Sequence, residues 1–127
     1  MDERPDDPAF KVEVSRANGA IVLSVEGNLD AATVGEFEQP LLRAVESGEN
    51  VIVDLSGCEF IDSAVIAAIV LAKRCMRPFG TSLRLVGHQV SQPIRALEIA
   101  GFEGQVAVFS SLTAAVQNGT AGANQEA

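Results

Sequence analysis

Two kinds of apolar pattern alternate along the chain. Short runs of Val, Ile and Leu are separated by longer stretches in which apolar positions return every three or four residues. The first kind predicts strands and the second helices. Val51-Ile52-Val53-Asp54-Leu55 is the densest short run, and its β-branched continuity predicts a strand covered on both faces. Ser56-Gly57 then reads as a turn, Phe60 and Ile61 bring the chain back to apolar contact, and Asp62-Ser63 precedes the apolar stretch 64–72. A carboxylate and a hydroxyl therefore stand at the mouth of a helix, where the first backbone N–H groups have no internal partner and the dipole favours negative charge.

Upstream, Lys11-Val12-Glu13-Val14 alternates polar with apolar, and 20–26 reads as a second strand. The Asn18-Gly19 pair between them is a hairpin signal. Phe37, Leu41, Leu42 and Val45 recur at helical spacing and predict a helix over about 33–47, opened by Thr33 and Glu36 as a capping box and closed by Gly48. Pro40 should bend or loosen it. Downstream, Pro78-Phe79-Gly80 breaks the chain, 82–86 reads as a strand and Gly87-His88-Gln89 as a loop. Ser91 should cap a helix with Pro93 in its first turn. Ile94 and Leu97 share a face of that helix, Glu98 takes the next position on it, Ile99 points elsewhere, and Gly101 should end the helix. A short strand over 106–109 follows, with a last helix opened by Ser110-Ser111 and running through Val116.

The order β-β-α-β-α-β-α-β-α predicts an α/β fold: a mainly parallel sheet of four to five strands, an N-terminal antiparallel hairpin and about four helices. The folded domain should span 10–117, between a flexible acidic arm over 1–9 and a flexible polar tail over 118–127. In sheets of this kind functional groups gather just beyond the strand ends. Two of those loops carry acids, Asp30 and Asp62.

Composition narrows the function. The 127 residues suffice for one domain with its own core. No run of apolar residues is long enough for a membrane span, and the acidic start Met1-Asp2-Glu3-Arg4-Pro5-Asp6-Asp7 lacks the basic segment of a secretory signal, so the cytoplasm is the expected location. A net charge of −8 argues against nucleic-acid and anionic-lipid surfaces and for a basic or apolar partner. Cys58 and Cys75 match no redox or zinc spacing, and each is expected to be a small buried apolar side chain. No metal or cofactor is expected. His88 stands alone, Asp54 lacks a second acid at Ser56, and Gly87, Gly101 and Gly104 form no phosphate cradle, so no catalytic group is expected. Arg74 and Arg77 read as cations that offset the negative end of the central helix.

Gly27-Asn28-Leu29-Asp30, the strand 51–55, Phe60-Ile61-Asp62-Ser63 at a helix start and Ala96-Leu97-Glu98-Ile99-Ala100-Gly101-Phe102 occur in an order that resembles the STAS domain family. The likeness spans roughly 10–117 and is strongest to bacterial anti-sigma factor antagonists. In that family the serine after the loop aspartate is phosphorylated by an anti-sigma factor that is also a serine kinase, and only the unphosphorylated form captures that kinase. The resemblance implies that Ser63 is the phosphoacceptor, that Asp62 and Asp30 flank it, that a serine phosphatase resets it, and that the chain itself catalyses nothing.

Ala64 and Val65 replace the Ser or Thr and the Gly that usually follow this serine, and a β-branched Val65 is expected to crowd a kinase's approach. That substitution leans towards the alternative, an accessory STAS subunit docked on the ATPase of an ABC-type lipid or solute transporter without a phosphorylation cycle. Along the central helix Ile66, Ile69, Val70 and Lys73 trace one face, while Ala64, Ala67, Ala68 and Leu71 trace the other. The expected docking patch is Asp30, Asp62, Ser63, Ala64, Ala67 and Leu71. The plainer reading makes Asp62-Ser63 a helix cap contributing about 1 kcal/mol, with Asp30 capping the preceding helix.

Overall fold

Each apolar run becomes an element of the computed structural model, which describes residues 10–102 and 106–117. The expected arm and tail, and Gly104, lie outside the described residues. Strands β1 (Lys11–Ala17) and β2 (Ala20–Glu26) form the hairpin. Its turn places Asn18 at φ 54° and Gly19 at φ 81°, both left-handed, the geometry whose twist matches that of the strands it joins. Helix α1 (Val34–Glu46), β3 (Asn50–Gly57), α2 (Ser63–Met76), a 3-10 turn (Arg77–Phe79), β4 (Leu83–Val86), α3 (Gln92–Leu97), β5 (Ala107–Phe109) and α4 (Leu112–Gln117) follow.

The sheet order is β1-β2-β3-β4-β5, antiparallel between the first two strands and parallel thereafter. Consecutive parallel strands joined with one handedness put their connecting helices on one face. That face carries Ile21, Leu23, Val25, Val51, Val53, Leu55, Leu83 and Leu85, buried against Phe37, Leu41, Ala44 and Val45 of α1 and Val65, Ala68, Ile69, Ala72 and Met76 of α2. Each fully buried Val, Leu, Ile, Phe or Met side chain among these stabilises the fold by about 1.5–3 kcal/mol relative to exposure. Helix α4 follows the last strand and covers the other face, setting Ala115, Leu112 and Val116 on Ala20, Val22, Ile52 and Val86. Arg84 shares that second face at 3% exposure. Its Nη1 donates to the Ala115 carbonyl at 2.9 Å, and burial pushes the guanidinium below its ordinary value. A buried charge that caps the end of α4 thereby fastens the helix to the sheet.

Several expectations are corrected. Ser56-Gly57 is no turn but the end of β3, where Gly57 pairs beside Glu26 and its carbonyl accepts from the Gly27 amide at 3.1 Å. Phe60 does not return to the core. It is 42% exposed, and Ile61, at 1%, makes the apolar contact. Gly101 does not end α3, because the chain stays helical through a wider π turn, Glu98–Phe102. The extra residue in that turn explains why the apolar spacing fails after Leu97. Cys58 is buried as expected, but Cys75 is exposed on α2. Pro40 lies inside α1, which runs as one helix from Val34 to Glu46. It sits between the buried Phe37 and Leu41, and their packing holds the segment helical although proline offers no N–H.

Candidate functional site

Parallel strands bring the loops after β2, β3 and β4 to one end of the sheet, and side-chain and backbone bonds then tie the three together. Leu29 and Ile61 form an isolated parallel bridge, with the Leu29 amide donating to the Phe60 carbonyl at 2.9 Å. Asp30 and Asp62 are the residues that follow this bridged pair, so the two acids lie on adjacent loops. Both are half-buried.

Each acid holds its own backbone. The Asp62 Oδ1 accepts from the Ala64 amide at 3.0 Å and the Val65 amide at 3.3 Å, which makes Asp62 the side-chain cap of α2. Asp30 Oδ1 accepts from the Ala32 amide at 2.9 Å and the Thr33 amide at 3.3 Å, and its carbonyl takes the Val34 amide at 2.8 Å. The Thr33–Glu36 capping box does not form. Thr33 occupies the N-cap position without a side-chain cap bond; its hydroxyl donates back to the Asn28 carbonyl at 3.0 Å and accepts from the Asp30 amide at 3.0 Å. Ser91 behaves alike. It stands at the N-cap of α3, but its hydroxyl donates to the His88 carbonyl at 2.7 Å instead of capping.

Ser63 is the first residue of α2 and is exposed. Among the described residues its hydroxyl makes no hydrogen bond. The capping pair of the plain reading therefore divides: Asp62 supplies the cap and Ser63 does not. Ala67 is exposed, Ala64 half-buried and Leu71 51% exposed, so these three continue outward from Ser63 along the helix. The two-faced reading of α2 needs adjustment, because Ala68 and Ile69, placed on opposite faces, both belong to the buried stripe. Val65 is also correctable. Its side chain is fully buried in the core, so it does not stand between Ser63 and an approaching partner.

Gln92 escaped the sequence reading. Its side-chain Oε1 accepts from the Ile61 amide at 2.8 Å and its Nε2 donates to the Ile61 carbonyl at 3.0 Å. No periodic signal marks such a residue, since a polar side chain at a helix start is expected to face water. His88 is exposed in the neighbouring loop. Among the described residues no group of three or more His, Cys, Asp and Glu side chains could hold a metal, and no helix is long and apolar enough to cross a membrane.

The sequence matches the STAS domain over residues 11–115. Among solved structures the fold is shared with an anti-sigma factor antagonist from Mycobacterium paratuberculosis, 19% identical over 89% of this chain and 96% of that one, with a TM-score of 0.79. It is shared likewise with the phosphorylated form of the Bacillus cell fate determinant SpoIIAA, 18% identical over 87% and 98%, TM-score 0.67. A part of the murine Slc26a9 anion transporter also aligns, 22% identical over 81% of this chain but 18% of that one, TM-score 0.64. At these identities the likeness is one of fold. No curated protein matches the chain by sequence.

Proposed function

The chain belongs to the STAS domain family, and on that footing we propose that it is an anti-sigma factor antagonist acting by partner switching, with Ser63 as its phosphoacceptor. The observation that carries this reading is the exposed Ser63 hydroxyl at the start of α2, unengaged among the described residues while Asp62 holds the helix end.

In the unphosphorylated state an anti-sigma factor docks over Ser63, Ala64, Ala67 and Leu71, with Asp30 and Asp62 at one end of the strip to meet basic groups. A kinase active site on that partner transfers phosphate: the Ser63 Oγ attacks the γ-phosphorus of ATP, the bond to ADP breaks, and the hydroxyl proton passes to a base on the kinase. The chain is the substrate of this step. Phosphate adds about −1.5 to −2 charges at a helix N-terminus, whose dipole favours them, so the fold survives. The surface changes instead. A dianion beside Asp30 and Asp62 meets like charge, and a partner shaped to cover a neutral hydroxyl has to desolvate it unpaired, which is costly. A serine phosphatase restores the docking state by hydrolysing the ester.

Titration calorimetry of candidate anti-sigma factors against wild type, Ser63→Ala and Ser63→Glu tests the switch. Binding by the first two and at least a tenfold weaker affinity for Ser63→Glu is expected. Equal affinity for all three would overturn the reading. Binding to a transporter ATPase that ignores the Ser63→Glu change would favour the accessory-subunit alternative.

A further inference from the structure

The loop that delivers Asp62 and Ser63 is gripped from both sides. On one side Ile61 bridges to Leu29 of the preceding loop. On the other side β4 has already ended at Val86, and the place of a neighbouring strand is taken by one side chain. The Gln92 amide presents an acceptor and a donor to Ile61 in the same sense as a peptide group would, at 2.8 Å and 3.0 Å. Ile61 is the residue directly before the Asp62 cap, so its position sets where the first turn of α2 begins.

Gln92 is also the first residue of α3. Pro93 and Ile94 behind it are buried, and Ile94 packs so close to Gly87 that a Cβ there would lie 2.8 Å from its Cγ1. The grip therefore joins two helix starts that the sheet alone leaves separate. Only glutamine meets the geometry among similar residues: asparagine is one methylene shorter, and an ionised glutamate has no proton for the Ile61 carbonyl.

We propose that Gln92 is a positioning residue that fixes the Asp62–Ser63 helix start and couples it to α3, so that a partner engaging Ser63 also reads the position of α3. This rests on the reading of Ser63 as the engaged site. Its structural half stands apart from that reading and is measured separately.

The test uses the full chain with Gln92→Glu and Gln92→Met, followed by amide NMR and hydrogen exchange across pH. In Gln92→Glu the ionised carboxylate accepts from the Ile61 amide but sets a lone pair against the Ile61 carbonyl. Protonation gives back the missing donor. That arrangement disfavours the charged form, so the carboxyl should titrate above the ordinary range. The amide signals of Asp62, Ser63 and Ala64, and those over 94–97, should move together with that titration and converge on wild type at low pH. Gln92→Met offers the Ile61 amide no acceptor, so that amide should lose protection by about three- to tenfold at every pH, as for one lost hydrogen bond, and wild type supplies the background titration. Signals over 62–64 or 94–97 that follow wild type throughout would overturn the coupling.

Phosphorylation kinetics from neutral pH downwards complete the test. A lower kcat/KM for Ser63 in both variants, restored towards wild type in Gln92→Glu alone as pH falls, is expected. Equal rates in wild type and Gln92→Met would overturn the role at the site. No modification of wild-type Ser63 would sink the proposed function, while the NMR titration still decides the coupling.

Discussion

Replacing Asp62 by alanine should destabilise the protein while replacing Ser63 by alanine should not, although the two residues are neighbours at one helix end. Asp62 Oδ1 accepts from the Ala64 and Val65 amides, the second of which also donates to the Asp62 carbonyl at 3.1 Å, and its side chain places negative charge at the positive end of α2. Losing a side-chain cap costs about 1 kcal/mol, and the charge contributes a further few tenths to 1 kcal/mol at low salt, so Asp62→Ala should cost about 1–2 kcal/mol. With an unfolding entropy of about 2.1 cal/mol/K per residue, the 127-residue chain should lose about 4–8 °C in Tm. Asp62→Asn keeps the acceptor and should lose only the charge part, which added salt erases. Ser63 is exposed and its hydroxyl makes no hydrogen bond among the described residues, so Ser63→Ala should stay within about 0.5 kcal/mol of wild type. Urea unfolding followed by circular dichroism measures all three. A loss for Ser63→Ala as large as that for Asp62→Ala would refute the reasoning, because the hydroxyl would then be holding the helix and would not be free for a partner.

Leu71→Arg should lower affinity for the proposed anti-sigma factor partner by at least tenfold, since a half-exposed apolar side chain of the proposed docking strip becomes a long cation facing a partner expected to be basic or apolar, and calorimetry reads it. Its stability should stay within about 0.5 kcal/mol of wild type, because arginine and leucine have similar helix propensity. In the native protein a thiol reagent should modify Cys75 quickly and Cys58 only after unfolding. Burial pushes the Cys58 thiol above its ordinary value, so the folded state holds that proton when the unfolded chain has released it. Its contribution to stability is full below about pH 8.5 and is lost as pH rises through the folded value; urea midpoints of wild type and Cys58→Ala should converge there.

The fold was legible because its elements announce themselves locally. Continuous Val and Ile in 51–55, the Asn18-Gly19 turn and the helical spacing of Phe37 and Leu41 are signals of burial and backbone geometry, and burial is what the sheet supplies. The site was legible to the level of Asp62 and Ser63 at a helix mouth. Which of the two does the capping was not, since both residue types can, and the difference lies in where the two side chains point. The same holds for Thr33, whose hydroxyl is drawn back to Asn28 because Asp30 already serves the turn. Val65 could be read as an obstacle only while its direction was unknown; its burial follows from a helical stripe that it shares with Ala68, Ile69 and Ala72. Gln92 was out of reach because its partner is 31 residues away and is a backbone group, which leaves no mark on the composition of either segment.

The central claim is that the uncovered hydroxyl of Ser63 receives phosphate from the partner that the same surface binds. Intact-mass measurement after incubation with an anti-sigma factor kinase and ATP tests it most directly, with Ser63→Ala alongside. The account predicts a single added phosphate on wild type, located at Ser63 by peptide sequencing, and none on the variant. A kinase that binds the protein yet leaves its mass unchanged, or a phosphate that persists in Ser63→Ala, would contradict it.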